Sequence, residues 1–385
     1  MNISHKRIWL TLEKILETLR KSEQIAYQLR SIFEHYGYQK FRMAKFEAYD
    51  FYTHYKDFLA DSPILTFTDF SGKLMALKPD VTMSIVKNTR ATEKCPEKLY
   101  YMESVYRLSR EVREFKEIFQ IGLEYIGKVS AYTQVEVINL ALKCLACIDE
   151  NYVLGVSHMG FLSGFFDAIP VDQTEKRTLL DCLESKNLHE LNRLIGQYHL
   201  DDQLGKQLKV LAGIGGSMET ELQKINGLIL NEKMQIAYED LQSLYDVLKR
   251  NQLSRSMRMD FSLTTDEKYY NGLVFRGYVM SVPKAILSGG QYDNLLIRMH
   301  KPDLQAIGFA IYFDEMERVL KQPENNSYDM VILYDDNSDL SVLYEEVEDL
   351  ICNGKRVYVG ETIPQKIIGT VYCKMERNRR VEIQI

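Results

Sequence analysis

Two runs of alternating residues between positions 98 and 127 form the most informative pattern in the chain. The first run predicts a strand on the apolar and aromatic residues Leu99, Tyr101 and Val105, with Arg107 at its end. A charged loop follows, and a second strand is predicted over 118–126. One face of this strand carries Gln120, Gly122 and Glu124, and the other carries Phe119, Ile121, Leu123 and Tyr125. Since the apolar face predicts burial, we expect the polar face to line a cavity.

The spacing of apolar residues predicts further helices and strands on both sides of this hairpin. Helices are predicted over 8–36, 82–89 and 130–148, and the first of them ends at Gly37. A hairpin turned at Ser71-Gly72 precedes the second helix, and a strand is predicted over 152–157. Residues 259–320 return to a strand pattern. The chain is therefore expected to have an α+β fold.

Changes in composition divide the chain into two predicted domains. Residues from about 170 to 258 are rich in Leu, Gln, Lys and Glu at helical spacing and predict a helical insertion. Residues 322–327 predict a linker. Beyond it, a helix over 340–353 among short strands predicts a small α/β unit. We expect a first domain over 1–322, which carries the insertion, and a second over 328–385.

Composition and charge narrow the range of functions. The net charge of −6 over 385 residues argues weakly against a nucleic-acid partner, because such a partner needs a basic surface. Cys144 and Cys147 form a C-x-x-C pair inside an apolar helical run, which favours buried thiols over a metal or redox site. No cofactor or metal is predicted. No apolar run is expected to be long enough to span a membrane, and a reducing cytoplasm is the expected location.

Local pattern alone leaves two ordinary explanations open. The segment 98–127 fits a hairpin with a solvated, charged loop. The segment Lys-Pro-Asp-Val-Thr at 78–82 fits a proline turn in which Asp80 caps the following helix.

The segment 98–127 also resembles motif 2 of the class II aminoacyl-tRNA synthetases, in the form found in histidyl-tRNA synthetase. The resemblance lies in a strand ending at Arg107, a charged loop and a return strand with the sequence Phe-Gln-Ile-Gly-Leu-Glu. Further segments resemble this family in the same order, namely 78–82, Tyr-Tyr-Asn-Gly at 269–272, Gly-Gly-Gln-Tyr-Asp at 289–293 and Gly-Phe-Ala-Ile at 308–311. The resemblance covers about residues 8–320 and implies an antiparallel sheet flanked by helices.

The resemblance implies a binding site for histidine. Asp80, Thr82 and Gln120 match positions that hold the amino group, and Glu124 matches the position that holds the imidazole. Tyr270 and Tyr292 would close the pocket around the ring, and Arg107 would remain free to take the carboxylate. The family also implies a dimer through about residues 36–52, and the small C-terminal unit occupies the place of an anticodon-binding domain.

Three positions depart from the synthetase pattern, and all three belong to its ATP-binding half. Glu315 stands where motif 3 has an arginine, although Arg318 would occupy that place if the register were shifted. Ser109 replaces a glutamate that helps to hold adenine, and Thr265 replaces an arginine that stabilises the reacting groups. A site that keeps the histidine contacts and loses the ATP contacts is typical of a histidine sensor.

This combination resembles the regulatory subunit family of ATP phosphoribosyltransferase, which is related to histidyl-tRNA synthetase but does not aminoacylate. That resemblance implies a non-catalytic chain in a heteromeric complex with a short catalytic subunit, histidine as effector and a role in the first step of histidine biosynthesis. Two alternatives remain open at this point. A divergent histidyl-tRNA synthetase would catalyse histidine-dependent pyrophosphate exchange, whereas a stand-alone histidine-binding protein would have another partner.

Overall fold

A computed structural model describes residues 19–59, 63–109, 113–264, 269–320, 327–364, 367–376 and 379–383. The chain forms two compact units, of which the larger spans Ile25–Val319 and the other contains Leu320–Ile385. The division into domains over 1–322 and 328–385 stays a prediction.

Helices α1–α12 lie in the described part of the chain up to residue 320. They are α1 Lys21–His35, α2 Tyr49–His54, α3 Val81–Asn88, α4 Ala131–Ile148, α5 Met159–Asp167, α6 Gln173–Glu184, α7 Leu188–Gln197, α8 Asp202–Ala212, α9 Met218–Asn226, α10 Glu232–Arg250, α11 Asp293–Arg298 and α12 Phe313–Leu320. Two short 3-10 helices span Lys56–Phe58 and Ser254–Ser256. The predicted helix over 130–148 is confirmed, and Ser130 caps its N-terminus.

Strands β1–β12 form two sheets. They are β1 Gln39–Lys40, β2 Phe46–Ala48, β3 Thr66–Thr68, β4 Leu74–Leu77, β5 Glu97–Leu108, β6 Phe115–Gly127, β7 Tyr152–His158, β8 Gly215–Ser217, β9 Met257–Asp260, β10 Leu273–Val279, β11 Leu287–Gln291 and β12 Gln305–Tyr312. Nine of them form a sheet in the order β1-β5-β6-β12-β11-β10-β7-β9-β8, and the others form a three-stranded sheet in the order β2-β4-β3. The large sheet is antiparallel except at the pairs β1–β5 and β7–β9.

The predicted hairpin over 98–127 is confirmed as β5 and β6, and the fold places it inside the large sheet. Strand β6 pairs with β5 on one side and with β12 on the other. Both faces of β6 are buried from Gln120 to Gly127, so its polar residues lie in the interior of the protein. The predicted turn at Ser71-Gly72 is also confirmed, because Gly72 adopts a φ of +82° between β3 and β4.

Helix α4 corrects one expectation from the sequence. By length and composition its 18 residues suffice to cross a membrane, so the prediction that no apolar run is long enough was wrong. However, 61% of this helix is buried inside the protein. Its apolar character therefore suits the core helix of a globular protein.

The second unit is a small α/β structure. Its described strands are β13 Ser327–Leu333, β14 Val357–Gly360, β15 Ile368–Glu376 and β16 Arg379–Ile383, and its helix is α13 Leu340–Cys352. The strands form a sheet in the order β14-β13-β15-β16, in which only the pair β15–β16 is antiparallel.

Candidate functional site

The structure brings all seven predicted site residues to one cavity with about 70 Å³ of free volume. They come from α3 and its cap, from β5 and β6, from the loop before β10, and from the turn after β11. These residues are Asp80, Thr82, Arg107, Gln120, Glu124, Tyr270 and Tyr292. The cavity is also lined by residues that the sequence analysis did not assign to the site, namely Val81, Tyr101, Tyr269, Ser288, Gly308, Phe309, Ala310 and Tyr312.

Glu124 lines this cavity with only 2% of its surface exposed. The hydroxyl of Thr82 donates to its Oε1 at 2.7 Å, and the hydroxyl of Tyr292 donates to its Oε2 at 2.6 Å. Burial raises the pKa of Glu124 to about 8, the two hydroxyls lower it, and the carboxylate of Asp80 raises it. The carboxyl group is therefore held close to the pH range in which it gains or loses its proton.

Gly308 provides the space that Glu124 occupies. It lies opposite Glu124 in the pair β12–β6, and a Cβ atom at this position would lie 1.8 Å from Glu124 Oε2. The glycine in Gly-Phe-Ala-Ile is thus required by the close approach of a buried side chain. A similar relation holds at Gly122, where a Cβ atom would lie 2.4 Å from the hydroxyl oxygen of Tyr101.

Asp80 has a structural role as well as a place in the cavity. Its side chain caps α3 by accepting the N–H of Met83 at 2.9 Å. Its other oxygen, Oδ2, accepts from Arg107 Nη2 at 3.1 Å, and Arg107 Nε donates to the carbonyl of Pro79 at 2.7 Å. Arg107 is therefore engaged within the protein, and its role toward a ligand carboxylate stays a prediction. Two of the five N–H groups of its guanidinium are already used.

Tyr292 is fixed by a buried network around Asp293. The side chains of Asn271 and Gln291 donate to Asp293 Oδ2 at 3.0 and 2.8 Å, and the backbone N–H of Ala306 donates to Oδ1 at 3.0 Å. This network joins the Tyr-Tyr-Asn-Gly loop, the turn after β11 and strand β12. Because two side chains and a backbone N–H all donate to Asp293, the network holds the aromatic wall of the cavity in one arrangement.

The tyrosines around Glu124 remain neutral hydrogen-bonding groups. Burial raises the pKa of Tyr101, Tyr269, Tyr270 and Tyr292 above the ordinary range for a phenol. Tyr101 could have been found from the sequence, because it shares the strand face of Arg107 at period two. Tyr269 stands beside the predicted Tyr270, and the two ring centroids are 4.7 Å apart.

The positions that depart from the synthetase pattern lie apart from this cluster or outside the described residues. Ser109 forms the turn of the β5–β6 hairpin, where its N–H donates to the carbonyl of Glu114 at 2.8 Å. Glu315 lies in the first turn of α12, 3.9 Å from Lys284 Nζ. Thr265 lies outside the described residues, as does the side chain of Arg318.

Most of the chain matches one known protein family. Residues 13–316 match the sequence model of the family described as histidyl-tRNA synthetase. The chain belongs to the histidyl-tRNA synthetase family. The family resemblance that the sequence predicted is thus confirmed over most of the chain, and so is the α+β class II synthetase fold.

Within this family, the chain is similar to proteins that carry another name. A Clostridium kluyveri protein named ATP phosphoribosyltransferase regulatory subunit is 27% identical over 352 residues, which cover 88% of this chain and 89% of that protein. The resemblance to these regulatory subunits is confirmed. The crystal structure of an ATP phosphoribosyltransferase regulatory subunit/histidyl-tRNA synthetase from Bacillus halodurans has a TM-score of 0.75 and 23% identity, covering 92% of this chain and 94% of its own.

A third similar structure is a chain in the ATP phosphoribosyltransferase (HisG:HisZ) complex of Thermotoga maritima. It has a TM-score of 0.59 and 19% identity, and the match covers 75% of this chain and 96% of that chain. At this identity the likeness shows a shared fold.

Proposed function

We propose that this chain is a non-catalytic regulatory subunit of ATP phosphoribosyltransferase, which acts with a short catalytic subunit and binds histidine as a feedback effector. The observation that carries the proposal is the single cavity in which all seven residues of the histidine-binding pattern meet. The names of the curated relatives support the same conclusion. The first step of histidine biosynthesis is then the reaction under control.

The departures from the synthetase pattern favour a regulatory role over aminoacylation. A hydrogen bond to a charged group contributes about 1.5–3 kcal/mol, so the loss of two arginines lowers ATP affinity or transition-state stabilisation on the order of 10²–10⁴. Glu315 in place of one arginine also adds repulsion toward a triphosphate. The carboxylates and hydroxyls that suit histidine are all retained.

In the proposed complex, each polar part of histidine has a partner. Asp80 pairs with the ammonium group, assisted by Thr82 and Gln120. Glu124 binds one nitrogen of the imidazole, while a tyrosine hydroxyl faces the other. The N–H groups of Arg107 that Asp80 and Pro79 leave unused take the carboxylate.

Calorimetry on the variant Glu124→Ala tests the pocket. We expect histidine to bind the wild type, leucine to bind far more weakly, and the variant to lose on the order of 1.5–3 kcal/mol, which is tenfold or more in affinity. In the reconstituted complex, the variant should resist histidine inhibition when each enzyme is compared with its own uninhibited rate. Equal histidine affinity in both proteins would show that the effector binds elsewhere.

Pyrophosphate exchange separates this proposal from a divergent synthetase. We expect the chain to catalyse no histidine-dependent exchange of pyrophosphate into ATP, because its ATP contacts depart from the family pattern at Glu315, Thr265 and Ser109. Exchange well above background would establish the synthetase instead.

We also propose a heteromeric complex built on a dimer of this chain, located in the cytoplasm. The heteromeric part of this proposal is supported by the T. maritima structure, which is of a HisG:HisZ complex, and by the relatives named ATP phosphoribosyltransferase regulatory subunit. Phosphoribosyl transfer that appears only when this chain is mixed with a short catalytic subunit would support the partnership. If this chain instead forms no complex with the catalytic subunit and leaves it inactive, a histidine-binding protein with another partner would be favoured.

A further inference from the structure

The cavity holds more negative than positive charge in its described part. Asp80 and Glu124 are both carboxylic acids, whereas Arg107 is the cationic side chain among the described residues that line the cavity. Arg107 forms an ion pair with Asp80, in which Nη2 lies 3.1 Å from Oδ2. The two oxygens of Glu124 are instead met by the hydroxyls of Thr82 and Tyr292. Among the described residues, Glu124 is thus a buried acid that hydroxyl groups contact and no cationic side chain pairs with.

The groups that face Glu124 from each neighbouring element do not change this balance. Helix α3 and its cap supply Asp80 and Thr82, β5 supplies Tyr101 and Arg107, and β12 supplies only glycine at the facing position. The loop before β10 and the turn after β11 supply further tyrosines, whose hydroxyls stay neutral. In the empty cavity Glu124 therefore keeps its proton at neutral pH, in line with its pKa of about 8.

We propose that this site binds histidine together with one shared proton, held between the Glu124 carboxyl group and the imidazole ring. The inference rests on the proposed function, since histidine must be the ligand. Near neutral pH, the number of bound protons is the same before and after histidine binds. A protonated Glu124 and a neutral imidazole contain the same number of protons as a carboxylate and an imidazolium, so a proton shifts along one hydrogen bond and none is exchanged with solvent.

This arrangement gives the affinity for histidine a bell-shaped dependence on pH. Above about pH 8 the empty site has lost the proton of Glu124, so binding must take a proton from solvent and weakens about tenfold for each further unit. Below about pH 6.5 free histidine already carries an imidazolium proton, so binding must release one and again weakens. The tightest binding falls between these two limits.

The shared proton also determines which analogues bind well. An analogue with a 1,2,4-triazole ring has nearly the shape of histidine and keeps a ring N–H, but its ring is far less basic. Such a ring accepts no proton from Glu124. We therefore expect the triazole analogue to bind at least tenfold more weakly than histidine at pH 7, and to lose the decrease in affinity below pH 6.5.

Calorimetric titration of the full-length chain with histidine from pH 5.5 to 9, in buffers with different ionisation enthalpies, tests the inference. We expect almost no net proton exchange near pH 7, release approaching one proton at pH 5.5, and an uptake at pH 9 that exceeds the uptake by Glu124→Gln by close to one proton. Glu124→Gln should bind histidine more weakly and lose the proton uptake that belongs to Glu124. The ammonium group of histidine also titrates toward pH 9. The proton exchange measured with Glu124→Gln gives the contribution of that group, which is subtracted from the value for the wild type.

Glu136→Gln is the matched control. Glu136 is another buried acid, but it pairs with Lys98 at 2.6 Å and does not line the cavity, so this variant should keep the bell-shaped profile. An affinity that stays flat between pH 5.5 and 9, or a proton uptake at pH 9 no larger than that of Glu124→Gln, would overturn the shared proton while leaving histidine as the effector. A complete lack of histidine binding at every pH would overturn both.

Discussion

At the scale of single residues, the cavity depends on positions that have no side chain. Gly308 and Gly122 lie on adjacent parts of the sheet, where the neighbours that a Cβ would meet include backbone oxygens as well as the polar side chains of the site. Backbone atoms in the middle of a sheet cannot move aside without breaking strand pairing. A side chain at either glycine would thus change the shape of the site and also lower the stability of the sheet.

We predict that Gly308→Ala destabilises the protein by about 1–3 kcal/mol, because the added methyl group overlaps Glu124 and the backbone oxygen of Leu123. Gly196→Ala is the matched control, since Gly196 lies in α7 with open space around it. The control should be neutral or stabilise by up to about 1 kcal/mol. Urea denaturation measures both values, and equal stability of Gly308→Ala and the wild type would contradict the close approach.

At the scale of secondary-structure elements, the N-terminal cap of α3 also lines the cavity. The same Asp80 side chain caps the N-terminus of the helix with one oxygen and pairs with Arg107 through the other. The sequence analysis left these two roles as alternatives, and the structure shows that the cap and a place in the cavity are compatible. Substitutions that differ in charge but not in capping ability can distinguish the two contributions.

We predict that Asp80→Asn keeps the stability of the wild type to within about 0.5 kcal/mol, because asparagine caps a helix as well as aspartate. It should nevertheless weaken histidine binding tenfold or more, since the charge opposite the ammonium group is lost. Asp80→Ala should lose the binding and also about 1 kcal/mol of stability. Thermal unfolding and calorimetry measure the two effects, and wild-type affinity in Asp80→Asn would limit Asp80 to the role of a cap.

Sequence patterns predicted the elements better than the contacts between them. The alternation in β5 and β6 was sufficient to predict the hairpin and the polar face of Glu124, because strand periodicity is a local property. The hydrogen bond between Tyr292 and Glu124 joins residues 168 positions apart, and it depends on the sheet order, which periodicity does not encode. The ion pair of Arg107 with Asp80 was missed for the same reason.

At the scale of the whole molecule, the three-stranded sheet presents an exposed apolar surface. Phe46 is 48% and Phe67 is 38% exposed, and their ring centroids lie 5.5 Å apart. Phe70 and Leu74 of the same sheet region are also exposed. Phe46 belongs to the segment 36–52, through which a dimer is proposed. Aromatic residues on an accessible surface are typical of the contact between two subunits.

We predict that the chain is a dimer at micromolar concentration and that Phe46→Asp shifts it toward the monomer, because two buried carboxylates would face each other across a two-fold interface. Ile236→Asp is the control, since Ile236 is similarly exposed but lies on α10 in the helical region. Light scattering measures the mass of each protein. A dimer that survives Phe46→Asp would place the interface elsewhere. A monomeric wild type would exclude the dimer.

The site residues are far apart in the sequence, so the pocket forms only when distant parts of the chain fold together. Asp80, Glu124 and Tyr292 meet only after α3, the central strands and the turn after β11 have all assembled. No fragment that lacks one of these parts contains a complete pocket. A ligand that occupies the pocket therefore adds its binding free energy to global unfolding, about 2.7 kcal/mol at a concentration 100 times its Kd. The concentration of such a ligand would then also influence how long the folded chain survives.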